Sequence, residues 1–104
     1  MSGKSELRIS TLARTDILEI AEYHRQQTGP ASARRVYALI RESLERLRAY
    51  PLLGQIHPDP LLASKGFRKL VLTQTYVAVY KAEGDTVYVY RVVNGRTDYP
   101  KLLR

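Results

Sequence analysis

The chain has 104 residues, no cysteine, two histidines and a net charge of +7. That length fits one domain, since domains run to about 100–200 residues, and 44% hydrophobic content supplies one modest core. Without cysteine there is no disulfide framework, thiolate nucleophile or Cys-based metal site, and two distant histidines give little basis for metal ligation, so neither metal nor cofactor is expected.

No apolar run approaches the roughly 20 residues of a bilayer span, and Met1-Ser2-Gly3-Lys4-Ser5-Glu6 lacks the apolar stretch of a signal peptide. A cytoplasmic protein with no membrane contact is the expectation. The positive charge favours an acidic partner.

Leu7 and Ile9 alternate with Glu6, Arg8 and Ser10, the period-two pattern of a short half-buried strand. Ile17, Ile20, Ala21 and His24 then recur at helical spacing, predicting an amphipathic helix from Thr11 or Leu12 to about Gln27, with Ser10 or Thr11 as N-cap and Gly29-Pro30 as terminator. His24 on that apolar stripe reads as a hydrogen-bonded, semi-buried histidine. Pro30 suits the first turn of a second helix, and Ala33, Val36, Tyr37, Ile40, Leu44 and Leu47 carry its stripe to about Tyr50 before Pro51. The short connection predicts an antiparallel helical hairpin laid on a sheet. Arg34, Arg35, Arg41, Glu42, Glu45, Arg46 and Arg48 fall on its other faces and read as a solvated surface.

Leu52 to Ser64 is rich in breakers and reads as a surface loop, with His57 solvated in it. Strands follow over Gly66 to Thr73, Tyr76 to Ala82 and Thr86 to Val93, the last two joined by the Glu83-Gly84-Asp85 turn. Period two places Tyr88, Tyr90 and Val92 on one face of the last strand and Val87, Val89 and Arg91 on the other. Asn94-Gly95 reads as a turn with positive φ. From Pro60 to Ala82 there are Lys65, Arg68, Lys69 and Lys81 without an acidic residue, and from Thr86 to Arg104 there are Arg91, Arg96, Lys101 and Arg104 against Asp98 alone. Neighbouring strands would sum that charge into one patch. Arg68 could instead stack on tyrosines or pair with Asp98, Arg91 could form a salt bridge at the sheet edge, and Asp98 could hold the tail by local hydrogen bonds. Tyr76, Tyr88 and Tyr90 suit packing or stacking on bases equally.

The order β-α-α-β-β-β resembles the RelE/ParE superfamily of toxins from toxin–antitoxin pairs. The matching residues are Asp16-Ile17-x-x-Ile20-x-x-Tyr23, Ala33-Arg34-Arg35, Leu47-x-x-Tyr50-Pro51-x-x-Gly54, Phe67-Arg68-Lys69-Leu70, Tyr76-Val77-Ala78-Val79-Tyr80, and Tyr90-Arg91-Val92-x-Asn94-Gly95-Arg96-x-Asp98. The resemblance implies an α+β fold, a helical hairpin packed on a small, mainly antiparallel sheet. It also implies a growth inhibitor silenced by a cognate antitoxin, which lays an extended, partly disordered segment over it. Operator DNA would be bound indirectly, through the antitoxin complex. Arg68, Tyr76, Leu102 and Leu103 are the candidate antitoxin contacts; Leu102 and Leu103 could equally cover the sheet.

The superfamily divides between ribosome-dependent endonucleases that cut mRNA and ParE-like inhibitors of DNA gyrase. Cutting RNA without a metal needs a base, an acid and cationic donors around the phosphate. Arg68, Lys69, Arg91 and Arg96 would supply cations, with Tyr76 and Tyr99 beside them, whereas Asn94 stands where many members have a titratable His. The missing histidine favours the gyrase reading, with Arg68, Arg91, Asn94, Arg96 and Asp98 as target contacts. The mRNA endonuclease is the alternative, and a non-toxic nucleic-acid-binding module is the second.

Overall fold

The computed structural model describes residues 4–104. Strand β1 (Glu6–Ile9) leads into α1 (Thr11–Thr28) and α2 (Pro30–Glu45), followed by a single 3-10 turn (Arg46–Arg48). Then come β2 (Gln55–Ile56), a short helix α3 (Pro60–Ser64), β3 (Arg68–Val71), β4 (Tyr76–Glu83), β5 (Thr86–Asn94) and a last turn of helix, α4 (Pro100–Leu103). The sheet order is β1-β5-β4-β3-β2; β1 runs parallel to β5 and the other pairs are antiparallel. The expected α+β hairpin-on-sheet architecture holds. No helix among the described residues is long and apolar enough to cross a membrane.

Ser10 caps α1 as its spacing predicts: its Oγ accepts from the Ala13 N–H at 3.0 Å and donates to the Tyr90 carbonyl at 2.7 Å, tying the helix start to β5. Gly29 joins the helices at φ +102°, a conformation that costs glycine little, and Pro30 then takes the first position of α2. Ala13, Ile17, Val36, Ile40 and Leu44 bury the hairpin's inner stripe against Leu70, Ala78, Tyr80, Val87, Val89 and Val92. A second cluster, Leu62, Phe67, Val77, Val79, Tyr99 and Leu103, covers the opposite sheet face. Strand β4 is therefore buried on both faces, which is why Tyr76 to Tyr80 is a continuous apolar run.

Three expectations need correction. The segment 52–64 is not an irregular loop, because Gln55 and Ile56 pair with Lys69 and Arg68, and Asp59 accepts from the Leu62 N–H to cap α3 with Pro60 at its start. The faces of β5 do not alternate throughout. Val79 pairs with Arg91 and Tyr80 with Val89, leaving Tyr90 as the extra residue of a β-bulge, which returns Val92 to the hairpin core beside Val87 and Val89. Gly95 is not at positive φ; among the described residues only Gly29, Gly66 and Gly84 are. What Gly95 provides is room, since a Cβ there would lie 2.9 Å from Val77 Cγ1.

Candidate functional site

The residues singled out by sequence separate into two groups. Those in the first are held by bonds within the fold. Arg68, on β3, donates from Nε to the Gly54 carbonyl at 2.9 Å and from Nη2 to the Leu52 carbonyl, so it closes the segment after α2 rather than pairing with Asp98, whose partner is Lys101. Arg91 grips Asp16 of α1 through two bonds, Nε to Oδ2 at 2.8 Å and Nη2 to Oδ1 at 2.9 Å. The same Oδ2 accepts the Val92 N–H at 2.9 Å. The bulge turns Arg91 toward α1, and Asp16 in turn raises its guanidinium pKa further. Tyr76 Oη meets His24 Nε2 at 2.9 Å, the hydrogen bond expected of a semi-buried histidine, and burial first, then nearby Tyr23, raises the Tyr76 pKa.

The second group surrounds the turn after β5. Asn94 Oδ1 accepts the Arg96 N–H at 2.9 Å, and the Asn94 carbonyl accepts from Thr97. The Arg96 side chain is exposed and bonded to nothing among the described residues. Asp98 pairs in solvent with Lys101 at 3.2 Å, an exposed i,i+3 contact of the kind that adds little stability. A groove of about 420 Å³ runs between α1 and this tail, walled by Ile20, Tyr23, Tyr76, Asn94, Tyr99 and Leu102. Leu102 is almost fully exposed on its rim, whereas Leu103 is buried in the second core.

Lys69 sits apart from both groups, facing His57 from β3 and lining a cavity with Arg46, Leu53, Gly54 and Gln55. Of the four cations, Arg68 is held by backbone carbonyls and Arg91 by Asp16.

Sequence reasoning missed the latch that holds the tail. His57 is 3% exposed rather than solvated. Its Nδ1 accepts the Asp59 N–H at 3.0 Å, which leaves the proton on Nε2 to donate to Tyr99 Oη at 2.9 Å. Asp59 also receives the Arg104 guanidinium, Nη2 to Oδ1 at 2.6 Å, and that bond holds its carboxyl pKa below the usual range. The Asp-Pro start of α3 was the available signal; the partners Tyr99 and Arg104 are more than forty residues away.

Desolvation first, and then the Lys69 charge, push the His57 pKa down, while Asp59 opposes weakly. The unfolded chain takes up this proton near pH 6.5 and the folded one only at lower pH. Stability should thus be full above about pH 6.5, fall as pH drops below it, and level off under the folded pKa. Thermal melts from pH 8 to 5 should show that decline in the wild type and a weaker one in His57→Asn; equal slopes would remove His57 as its source.

Residues 7–99 match the family model described as the ParE toxin of type II toxin-antitoxin system, parDE. No individually curated protein matches the chain. A chromosomal ParDE toxin–antitoxin system from P. aeruginosa contains a solved chain that superposes with a TM-score of 0.75 at 22% identity, over 89% of this chain and 98% of that one. A chain of the RelBE2 toxin–antitoxin complex from Mycobacterium tuberculosis superposes with a TM-score of 0.64 at 22% identity, over 88% and 98%. At such identity the two structures establish the shared fold.

Proposed function

Because this chain belongs to the ParE toxin family and is the toxin component of a type II toxin–antitoxin system, we propose that it arrests growth by inhibiting DNA gyrase rather than by cutting message. The observation that carries this reading is the engagement of the groups a nuclease would need. Tyr76 is bonded to His24, Tyr99 to His57 and Arg91 to Asp16. Burial drives both phenols further from titration at neutral pH, and Asn94 cannot titrate at all.

The surface left for a target is the tail turn, with Asn94, Arg96, Asp98 and the groove rim at Leu102. The protein acts in the cytoplasm, is silenced there by its antitoxin, and reaches operator DNA only through that complex. Purified protein should block supercoiling of relaxed DNA by gyrase, and its induced expression should bring a DNA-damage response with intact mRNA. Rapid, codon-phased cleavage of message would overturn the proposal in favour of the endonuclease. Arg96→Ala should weaken gyrase inhibition about tenfold, the loss of one charged contact, while its unfolding free energy stays within about 0.5 kcal/mol of wild type. Undiminished inhibition would take the tail turn out of the contact.

A further inference from the structure

The tail after β5 pairs with no strand among the described residues, and α4 is four residues long, too short to hold its shape alone in water. Its course is set by two anchors. At the near end the Gly95 N–H donates to the Thr75 carbonyl at 2.7 Å. At the far end Tyr99 and Leu103 sink into the second core beside Leu62 and Phe67. Between the anchors Arg96, Thr97 and Asp98 are exposed.

Polar bonds from the start of α3 complete the far anchor. His57 Nε2 donates to Tyr99 Oη, and Asp59 receives the Arg104 guanidinium. Asp59 is shared three ways: its N–H goes to His57 Nδ1, Oδ2 accepts the Leu62 N–H, and Oδ1 takes Arg104 Nη2. Both latch bonds therefore rest on one platform, fixed by the cap of α3 and by Leu62, which is fully buried. His57 is 3% exposed and Asp59 9% exposed, so neither is placed to touch a macromolecule that meets the tail turn.

We infer that His57 and Asp59 are positioning residues for inhibition: by docking the tail through Tyr99 and Arg104, they hold the Arg96 turn and the Leu102 rim in the geometry that the target meets. This rests on the gyrase reading for its target and adds the buried residues that prepare the surface. A tail anchored at one end alone samples many conformations, and a target that binds the docked one loses affinity in proportion to the docked fraction. A buried or charge-assisted hydrogen bond shifts such an equilibrium by about tenfold. Removing one latch bond leaves a sizeable docked fraction and removing both leaves little, so the two losses more than multiply.

The test is a titration of gyrase supercoiling with the full-length protein, paired with amide hydrogen exchange. It compares wild type, Tyr99→Phe, Arg104→Ala, the double variant, Arg104→Lys, Asp59→Ala and Ile40→Val. Tyr99→Phe and Arg104→Ala should each raise the half-inhibiting concentration about twofold, and together about tenfold. Exchange should quicken at residues 96–104 and stay unchanged in α1 and α2. Arg104→Lys, which keeps the charge opposite Asp59, should return to wild type. Asp59→Ala should weaken inhibition at least as much as Arg104→Ala, and Ile40→Val, which thins the other core, should inhibit as wild type does. Undiminished inhibition by a double variant with a loosened tail would overturn the inference, and so would a tail that stays protected. A loss in Arg104→Ala that Asp59→Ala lacks would overturn it by making Arg104 a direct contact, and a loss shared by Ile40→Val would do so by reducing the latch to stability. Wild-type protein that leaves supercoiling untouched would instead fail the gyrase reading, and growth arrest by the same variants would then decide the latch.

Discussion

Gly54→Ala is expected to lower the unfolding free energy by about 3 kcal/mol, a large fraction of the stability of a chain this size. A Cβ at this position would lie 2.5 Å from the Lys69 carbonyl oxygen, 2.9 Å from the Lys69 carbonyl carbon and 2.8 Å from Tyr80 Cε1. Two of these contacts are backbone atoms of β3, which cannot rotate away, and the third belongs to a fully buried ring. Nor can Gly54 itself move freely. Its N–H donates to Tyr80 Oη at 2.9 Å, its carbonyl accepts from Arg68 Nε, and Tyr80 Oη donates in turn to the Pro51 carbonyl at 2.9 Å. Relief of the clash costs one or more of these buried bonds. Thermal denaturation should record a midpoint about 12 °C or more below wild type, and an unchanged midpoint would show that β3 yields. Gly95→Ala should cost less, because its added Cβ comes within 3 Å of a single atom, Val77 Cγ1 at 2.9 Å, and meets backbone only at the ordinary contact distance of 3.6 Å from the Thr75 oxygen.

The Gly54 network shows what the sequence could and could not disclose. Helix and strand positions came from short-range periodicity, and the hairpin, its Ser10 cap and the Gly29-Pro30 junction are all written within a few residues of where they act. Strand β2 pairs through only two residues, too few to show a period, and it exists because Arg68 and Tyr80 anchor the segment before it. The β5 bulge is likewise invisible to alternation, since one extra residue on one strand changes which side chains reach the core without changing the pattern that precedes it. Charge was the least legible property. Counting arginines along the strands suggested a patch, but whether a guanidinium is free depends on partners far along the chain, as with Arg104 and Asp59. Arg34, Arg35, Arg41 and Arg46, which had read as a solvated face, have no carboxylate partner among the described residues, and neither does Arg96.

Asp16→Ala is the second substitution with a large expected effect, about 3 kcal/mol of lost stability. Its carboxylate is nearly buried and does two jobs at once, pairing with Arg91 and accepting the Val92 N–H just past the bulge. Removing it strands a buried backbone donor and leaves a guanidinium that is only 28% exposed without its counter-charge. Asp16→Asn retains an oxygen for Val92 and should lose only about 1.5 kcal/mol. Arg91→Ala leaves the Asp16 carboxyl without its partner in a poorly solvated site, still bonded to Val92, and should cost about 2 kcal/mol. The two alanine variants share a partner, so their effects should couple by about 1–2 kcal/mol in a double-mutant cycle read by urea denaturation. The outcome bears on function as well as folding. From sequence alone, Arg91→Ala should relieve toxicity and leave the fold intact, as a surface cation in a target patch would. With Asp16 as its partner, any loss of toxicity in Arg91→Ala should come with a lower unfolding midpoint and be matched by Asp16→Ala. Loss of toxicity in Arg91→Ala at wild-type stability would instead return Arg91 to the target-binding surface.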